Sequence, residues 1–359
     1  MKNVTIITNS TEKGGEANFV ENVTWELMET KHQVKTISFL HKESQSKSYP
    51  SRVFLNPRFI FNKPVPSMRD FRDFKKDNSD VVLHLVFGLY SILFFIFLKK
   101  GGRKHIASFH TDLIGRKYGF SLFIYKIFKF KIVNFFALFA DSLVFLTKSQ
   151  REDFRKYCIF KKKFDSKAKV VFYSTMGFSP IVGKKIFRKL DPRLSLIFVG
   201  RLTDAKGFDD LISVMRDMKG EKVVFHAVGV GPLLGEALKL ENFVYHGELS
   251  KEETSKVYDE CDALILPSYS EGFGRVILES MFKGIVVISS ALPQVEEKLT
   301  EGVNGFFFKP GDREVMKEKI RKVMNLSTDE LSKISQNNLA FVSDLSEGES
   351  EYVKLIEEI

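Results

Sequence analysis

Two glutamates with seven residues between them bracket the run Glu271-Gly272-Phe273-Gly274-Arg275-Val276-Ile277-Leu278-Glu279. The run follows a short apolar stretch, residues 263–266, that reads as a buried strand, and it opens a helix. A strand-to-helix turn of this kind lies at a strand's carboxyl end, where open α/β sheets bind ligands. Gly272 and Gly274 let backbone amides approach a ligand closely, and the free amides of a helix start favour an anion such as a diphosphate. Glu271 before the helix and Glu279 two turns inside it can accept hydrogen bonds from different hydroxyls of one elongated, sugar-containing ligand. The plainer alternative is a helix-start Glu271 favoured by the dipole and a solvated Glu279.

A second loop, Gly200-Arg201-Leu202-Thr203-Asp204-Ala205-Lys206-Gly207, also follows an apolar strand pattern and holds two cations five positions apart. Arg201 can grip phosphate oxygens with two N–H groups, and Lys206 adds a point charge. A solvated loop is the competing reading. Gly229-Val230-Gly231-Pro232 is a third such turn, but it lacks the last glycine of a dinucleotide fingerprint. In the first half, Gly14 and Gly15 lie in the first strand-to-helix loop, and His110 ends a strand pattern. A lone histidine is more often structural than catalytic.

Strands and helices must alternate to place these turns. The first half shows strand patterns at residues 4–8, 34–40, 81–86, 105–109, 142–146 and 169–173. The second half repeats the rhythm at 196–199, 222–228, 243–245, 263–266, 286–289 and 306–308. Helix-like segments fall between them, which argues for parallel sheets covered on both faces. Residues 178–193, with Pro180 and Pro192, read as the linker. The expected division is an N-terminal domain over 1–180 and a C-terminal domain over 181–344. A final helix, about 345–359, is expected to pack back on the first domain.

The length of 359 residues fits two domains, and the net charge is +10. That charge is unevenly spread: residues 1–180 carry 31 basic and 15 acidic side chains, the remainder 24 and 30. A basic first domain implies an anionic partner, whether a membrane surface, a phosphorylated substrate or nucleic acid. No nucleic-acid module is recognisable, so that partner is set aside. Cys158 and Cys261 are too few and too far apart for a disulfide framework or a cysteine-rich zinc site. The opening residues turn polar too soon for a secretory signal. Residues 81–98 hold no formal charge but break at Gly88, and read as a buried strand and a helix rather than a membrane span.

The run around Glu271 and Glu279 resembles the Glu-x7-Glu motif of the retaining GT-B glycosyltransferases of family 4, and Gly200 to Gly207 resembles that family's Gly-Arg-Leu…Lys-Gly loop. Gly14-Gly15-Glu16, His110, Met176-Gly177 and Val303-Asn304-Gly305 fall in the same order, so the likeness covers most of the chain. The resemblance implies an α/β protein of GT-B type, with two Rossmann-like doubly wound domains facing a central cleft. It implies a nucleotide-sugar donor, a UDP- or GDP-sugar, in the C-terminal domain and a saccharide acceptor on the N-terminal one. By the same likeness Arg201 and Lys206 neutralise the donor diphosphate, and Glu279 holds the ribose. Glu271 and His110 would contact the sugar, with Gly272, Phe273 and Gly274 supplying close backbone. Gly14 and Gly15 would lie near the phosphates or acceptor. The family usually needs no metal or other cofactor. One departure is the loop Ala291-Leu292-Pro293-Gln294-Val295-Glu296, which lacks the family's paired glycines and, through Pro293, an amide donor.

Residues 118–138 interleave aromatics with Lys126, Lys129 and Lys131, and the chain holds 36 phenylalanines. This segment is expected to form an amphipathic surface on anionic lipid, fitting a lipid-linked acceptor and a peripheral place on the inner face of the cytoplasmic membrane. The competing reading is a buried helix with lysines on its rim. Two other functions share the fold: a nucleotide-sugar epimerase and a non-catalytic partner subunit.

Overall fold

The computed structural model describes residues 1–10, 15–40, 52–54, 58–60, 63–65, 78–86, 89–99, 102–110, 119–171, 193–346 and 350–359. Gly14, Met176, Gly177 and the expected linker, apart from Arg193, lie outside them. The chain divides into two units. One comprises Met1–Leu113, Phe120–Gly177 and Gly348–Ile359; the other comprises Phe178–Glu347 with Ile114–Gly119.

The first unit contains β1 (Asn3–Ser10), α1 (Gly15–Glu29), β2 (Gln33–Leu40), β3 (Arg52–Phe54) and a small hairpin of β4 (Arg58–Ile60) and β5 (Lys63–Val65). There follow β6 (Val81–Val86), α2 (Leu89–Leu98), β7 (Lys104–Phe109), α3 (Gly119–Phe139), β8 (Ser142–Phe145), α4 (Lys148–Lys156), α5 (Lys161–Lys167) and β9 (Ala168–Val170). Seven strands form one parallel sheet in the order β3-β2-β1-β6-β7-β8-β9. All six residues of β6 are buried, which explains a run that is apolar except for His84: a parallel strand with both faces covered needs no polar alternation. The uncharged stretch 81–98 thus splits into strand and helix, and among the described residues no helix is long and apolar enough to cross a membrane.

Many phenylalanines fill this unit's core. Phe95, Phe109, Phe136, Phe145, Phe154 and Phe164 form one buried cluster, with Phe109 and Phe145 stacked at 4.9 Å. The abundance of phenylalanine is therefore in large part a packing device, each ring contributing roughly 1.5–3 kcal/mol by burial.

Beside that cluster His84 and His105 face each other across β6 and β7, with Nε2 and Nδ1 2.9 Å apart. Burial holds the His84 imidazole well below its usual range, with His105 adding to the effect, and burial pushes His105 down to about 4. Both rings are neutral in the fold, while the unfolded chain binds protons near pH 6.5. Their stabilisation is therefore complete above pH 6.5 and is lost as the pH falls toward 4. Acidification from pH 7 to 5 is expected to cost on the order of 2 kcal/mol through His105 alone. Glu26, pushed by burial up to about 7, works in the opposite sense over the same range. The comparison to make is thermal unfolding against pH for the wild type and His84→Leu/His105→Leu; equal acid slopes would refute the assignment.

The second unit contains β10 (Leu194–Val199), a 3-10 turn (Asp204–Lys206), α6 (Phe208–Asp217), β11 (Val223–Val228), α7 (Leu234–Ala237), β12 (Phe243–Gly247) and α8 (Lys251–Glu260). It continues with β13 (Ala263–Leu266), α9 (Arg275–Phe282), β14 (Val286–Ser290), α10 (Pro293–Glu296), β15 (Gly305–Phe308), α11 (Arg313–Asn325) and α12 (Thr328–Ser346). Its six parallel strands run in the order β12-β11-β10-β13-β14-β15. This is the doubly wound order that reverses at its first strand, β10. Leu196, Phe198, Phe208, Met215, Ile265, Ile288, Phe306 and Ile320 are part of its core. The capping box of Ser250 and Glu253 starts α8, as the polar run before its apolar residues requires.

The last helix, α13 (Glu351–Glu358), belongs to the first unit. Lys2 Nζ donates to the carbonyls of Ile356 at 2.7 Å and Glu357 at 3.1 Å, joining its carboxyl end to the start of β1.

Candidate functional site

Because all six strands of the second unit are parallel, the loops after β10, β11, β13 and β14 leave from one edge. The gap between β10 and β13 is the crevice beside the point where strand order reverses. The loops after β10, β13 and β14 are fastened to one another there.

Lys206 ends the 3-10 turn after β10 and gives one of its N–H groups to Glu271 Oε1 at 2.7 Å. The same oxygen accepts the Ser268 hydroxyl at 2.6 Å. Glu271 is buried, its side chain 9% exposed and that of Lys206 23%. From the third loop, the Gln294 carboxamide donates to the Glu271 carbonyl oxygen. Lys298 donates to the Gln294 carbonyl at 2.8 Å, and its ammonium sits 4.1 Å from the centre of the Phe273 ring. Burial lowers Lys298 to about 8, while Glu297 and Glu271 oppose that shift.

Gly207 makes this join possible. Its φ is +65°, and a Cβ there would lie 2.0 Å from the Pro267 carbonyl oxygen. Tyr269 N donates to the Ala205 carbonyl at 3.2 Å on the same seam. Gly229 and Gly231 do for the β11 loop what Gly207 does for the β13 loop: side chains there would meet the Gly200 and Leu202 carbonyl oxygens at 2.0 and 2.3 Å. That answers the half-fingerprint, whose glycines serve packing between loops.

Gly274 precedes α9 with φ +71°. Among the described residues, the amides of Gly272 and Gly274 donate to no protein acceptor, as is usual at a helix start. Glu279, two turns in, is not a solvated carboxylate. Its Oε1 lies 2.9 Å from Arg275 Nε, and its Oε2 accepts the Tyr258 hydroxyl at 3.3 Å. Burial first, then Glu279, raises the Tyr258 phenol well above its usual range. Arg201 is exposed in the β10 loop.

The Leu292-Pro293 departure lies at the start of α10. Pro293 is the first residue of α10, where its missing N–H would be unpaired in any case. Gln294 beside it is buried and does the fastening. Sequence reasoning passed over Ser268, Gln294, Lys298 and Tyr258. Gln294, Lys298 and Tyr258 reach Glu271, Phe273 and Glu279 in other loops or helices, which no local spacing marks; Ser268 meets Glu271 within its own loop.

In the first unit, Gly15 opens α1, and His110 follows β7 directly. His110 Nε2 is 2.8 Å from Ser108 Oγ, its ring is 4.0 Å from that of Phe19, and burial lowers it to about 3.

Residues 184–340 match the family described as glycosyl transferases group 1, and residues 13–165 match glycosyltransferase family 4. The two matches fall on separate parts of the chain, one in each half. The chain is 31% identical over 114 residues to an uncharacterized 41.2 kDa protein in the cps region of Klebsiella pneumoniae, covering 32% of each. It is 26% identical over 354 residues to the uncharacterized glycosyltransferase MJ1069 of Methanocaldococcus jannaschii, covering 89% of this chain and 87% of that one. A third relative is the capsular polysaccharide biosynthesis glycosyltransferase CapM of Staphylococcus aureus, 24% identical over 157 residues and covering 40% of each. The chain thus spans about a third of the Klebsiella protein it matches. Among solved structures, Anabaena HepE in complex with UDP and glucose superposes with a TM-score of 0.79 at 16% identity, covering 100% of this chain and 99% of that one. Sucrose-phosphate synthase from Thermosynechococcus elongatus gives 0.76 at 14% identity, covering 100% and 98%. Both likenesses are of fold, two parallel-sheet α/β domains of GT-B type.

Proposed function

We propose that the chain transfers a sugar from a nucleotide-sugar, UDP- or GDP-linked, to a hydroxyl of a saccharide acceptor in cell-surface polysaccharide synthesis, retaining the anomeric configuration. The observation that carries this reading is the ion pair of half-buried Lys206 with buried Glu271, joining the loops after β10 and β13 beside the start of α9. An ammonium has three N–H donors, and Glu271 uses one, so Lys206 keeps others for a diphosphate. Arg201 supplies the second cation. Together they stabilise negative charge growing on the leaving group, a role that asks for no metal. Glu279 keeps a lone pair on each oxygen for ribose hydroxyls, and Arg275 and Tyr258 hold it in place. Glu271 is assigned to the transferred sugar, as is His110 in the first unit. The HepE complex with UDP and glucose supports a UDP-linked donor first.

Thermal unfolding with UDP, GDP and their sugars, in EDTA, tests this reading. A nucleotide at ~100 times its dissociation constant adds about 2.7 kcal/mol. The expected result is selective stabilisation by one base, weakened in Glu279→Ala. No stabilisation by any nucleotide in a folded sample would overturn it and favour the partner-subunit reading.

We also propose that the first unit rests on an anionic membrane surface, where a lipid-linked acceptor would be met. Ile127, Phe128 and Phe130 are exposed on α3 between Lys126 and Lys131. Ile159, 66% exposed, and Phe160 stand beside Lys161, Lys162 and Lys163. Asn134 ties the two segments together, accepting from Ile159 N at 2.7 Å and donating to the Phe130 carbonyl at 2.7 Å. Lys129 does not belong to this face: it is buried against Asp153, over the rings of Phe154 and Tyr157. Phosphatidylglycerol vesicles are expected to float the wild type at low salt but not Phe128→Ser/Phe130→Ser, whereas phosphatidylcholine vesicles should float neither. Recovery of the wild type in the unbound fraction with both lipids would remove the idea.

A further inference from the structure

The first unit holds a hydrogen-bond chain, buried at Ser108 and Tyr352 and part-buried at His110, that the proposed function leaves unused. Ser108 and His110 are two apart along the line of β7, so their side chains leave on one face. Ser108 Oγ is 2.8 Å from His110 Nε2 and 2.8 Å from the hydroxyl of Tyr352, 244 residues away on α13. Phe19 of α1 covers the chain, its ring 4.0 Å from that of His110 and 5.1 Å from that of Tyr352. Ser108, Tyr352 and Phe19 are each fully buried. Water does not compete at the Ser108–Tyr352 bond, while His110 at the end of the chain is partly exposed.

The direction of the chain follows from acidity. A phenol, with a pKa of about 10, is the better donor to a neighbouring aliphatic hydroxyl. Tyr352 O–H therefore donates to Ser108 Oγ, and the single Ser108 proton goes to His110 Nε2. Burial keeps the imidazole neutral, so its one proton sits on Nδ1. Among the described residues Nδ1 has no protein partner.

We propose that Tyr352 is a positioning residue: through Ser108 it holds His110 in the Nδ1–H tautomer, so that His110 meets the transferred sugar as a hydrogen-bond donor. This rests on the assignment of His110 to the sugar. The C-terminal helix is then part of the catalytic apparatus as well as of the packing. A donor N–H selects an acceptor oxygen on the sugar, whereas the other tautomer would present a lone pair to it.

The test uses the full chain labelled with 15N-histidine. Nitrogen-15 NMR near pH 7 reports the His110 tautomer in the wild type, Tyr352→Phe, Ser108→Ala and Phe19→Leu. The wild type is expected to be Nδ1–H alone. Tyr352→Phe keeps the packed ring but frees Ser108 to accept from Nε2–H, so both tautomers appear. Ser108→Ala also mixes them, while Phe19→Leu does not. UDP-glucose turnover, followed as UDP release, is expected to fall about tenfold in kcat for Tyr352→Phe, with KM changed less than twofold. An Nε2–H wild type, or an unchanged tautomer in both relay variants, would overturn the proposal. A shifted tautomer alongside full turnover by His110→Ala would instead remove His110 from the sugar and leave the relay standing.

Discussion

Glu271→Ala is expected to lower kcat by roughly 10²- to 10³-fold while the chain still folds. The structural cost is bounded by what the carboxylate holds. Ser268 Oγ, fully buried, loses its acceptor, and Lys206, 23% exposed, loses its counter-charge. Together these cost about 1–3 kcal/mol, less than a domain of this size needs to stay folded. Turnover alone does not separate a direct role for Glu271 from one exerted by holding Lys206. A double-mutant cycle with Lys206→Met does. If Glu271 acts only on Lys206, both single variants and the double variant lose kcat equally. If Glu271 meets the sugar itself, the double variant falls below either one. Near-wild-type kcat in Glu271→Ala would take the residue out of the chemistry altogether.

Gly207→Ala is expected to destabilise the second unit by at least about 3 kcal/mol, a fall of roughly 6–12 °C in Tm for a domain of this size. Two effects add. Alanine at φ +65° costs about 1–2 kcal/mol in backbone conformation. Its methyl would also lie 2.0 Å from the Pro267 carbonyl oxygen, and neither backbone can yield without separating the loops that hold Lys206 and Glu271. Gly220 is the control: its φ is +87°, and a Cβ there meets nothing within 4 Å. Gly220→Ala should show the conformational cost alone. Equal Tm losses in the two variants would mean that the loop contact at Gly207 carries no energy of its own. Nucleotide stabilisation should weaken in Gly207→Ala and persist in Gly220→Ala.

The fold was legible because its signals are local. Apolar runs such as residues 263–266, and 81–86 but for His84, mark strands buried on both faces, and all six strand patterns of the second half are strands in the structure. Local signals fail where composition is ambiguous. The strands β3, β4 and β5 lie in a polar, proline-bearing stretch, and α5 shows one apolar side chain, Phe164, among lysines. Phenylalanine abundance is ambiguous too, since a ring looks the same in sequence whether it stands on a surface or in a core. Phe136 is wholly buried on α3 while Phe130 on the same helix is 42% exposed.

The two acidic positions, the two cations and the glycines between them were visible as types and spacings, because a strand-to-helix turn needs few residues to declare itself. Which atom holds which was not visible. Lys206 meets Glu271 across 65 positions, Gln294 reaches back 23, and Tyr352 joins Ser108 across 244. Periodicity records only which face of an element is apolar. Hydrogen bonds between loops depend on how strands are ordered in the sheet, and that order is decided when the whole core packs. Residue order therefore carried the class of fold and the ends of strands where a ligand would sit, while tertiary packing decided which carboxylate is buried, which lysine it holds and which tyrosine stands behind the histidine.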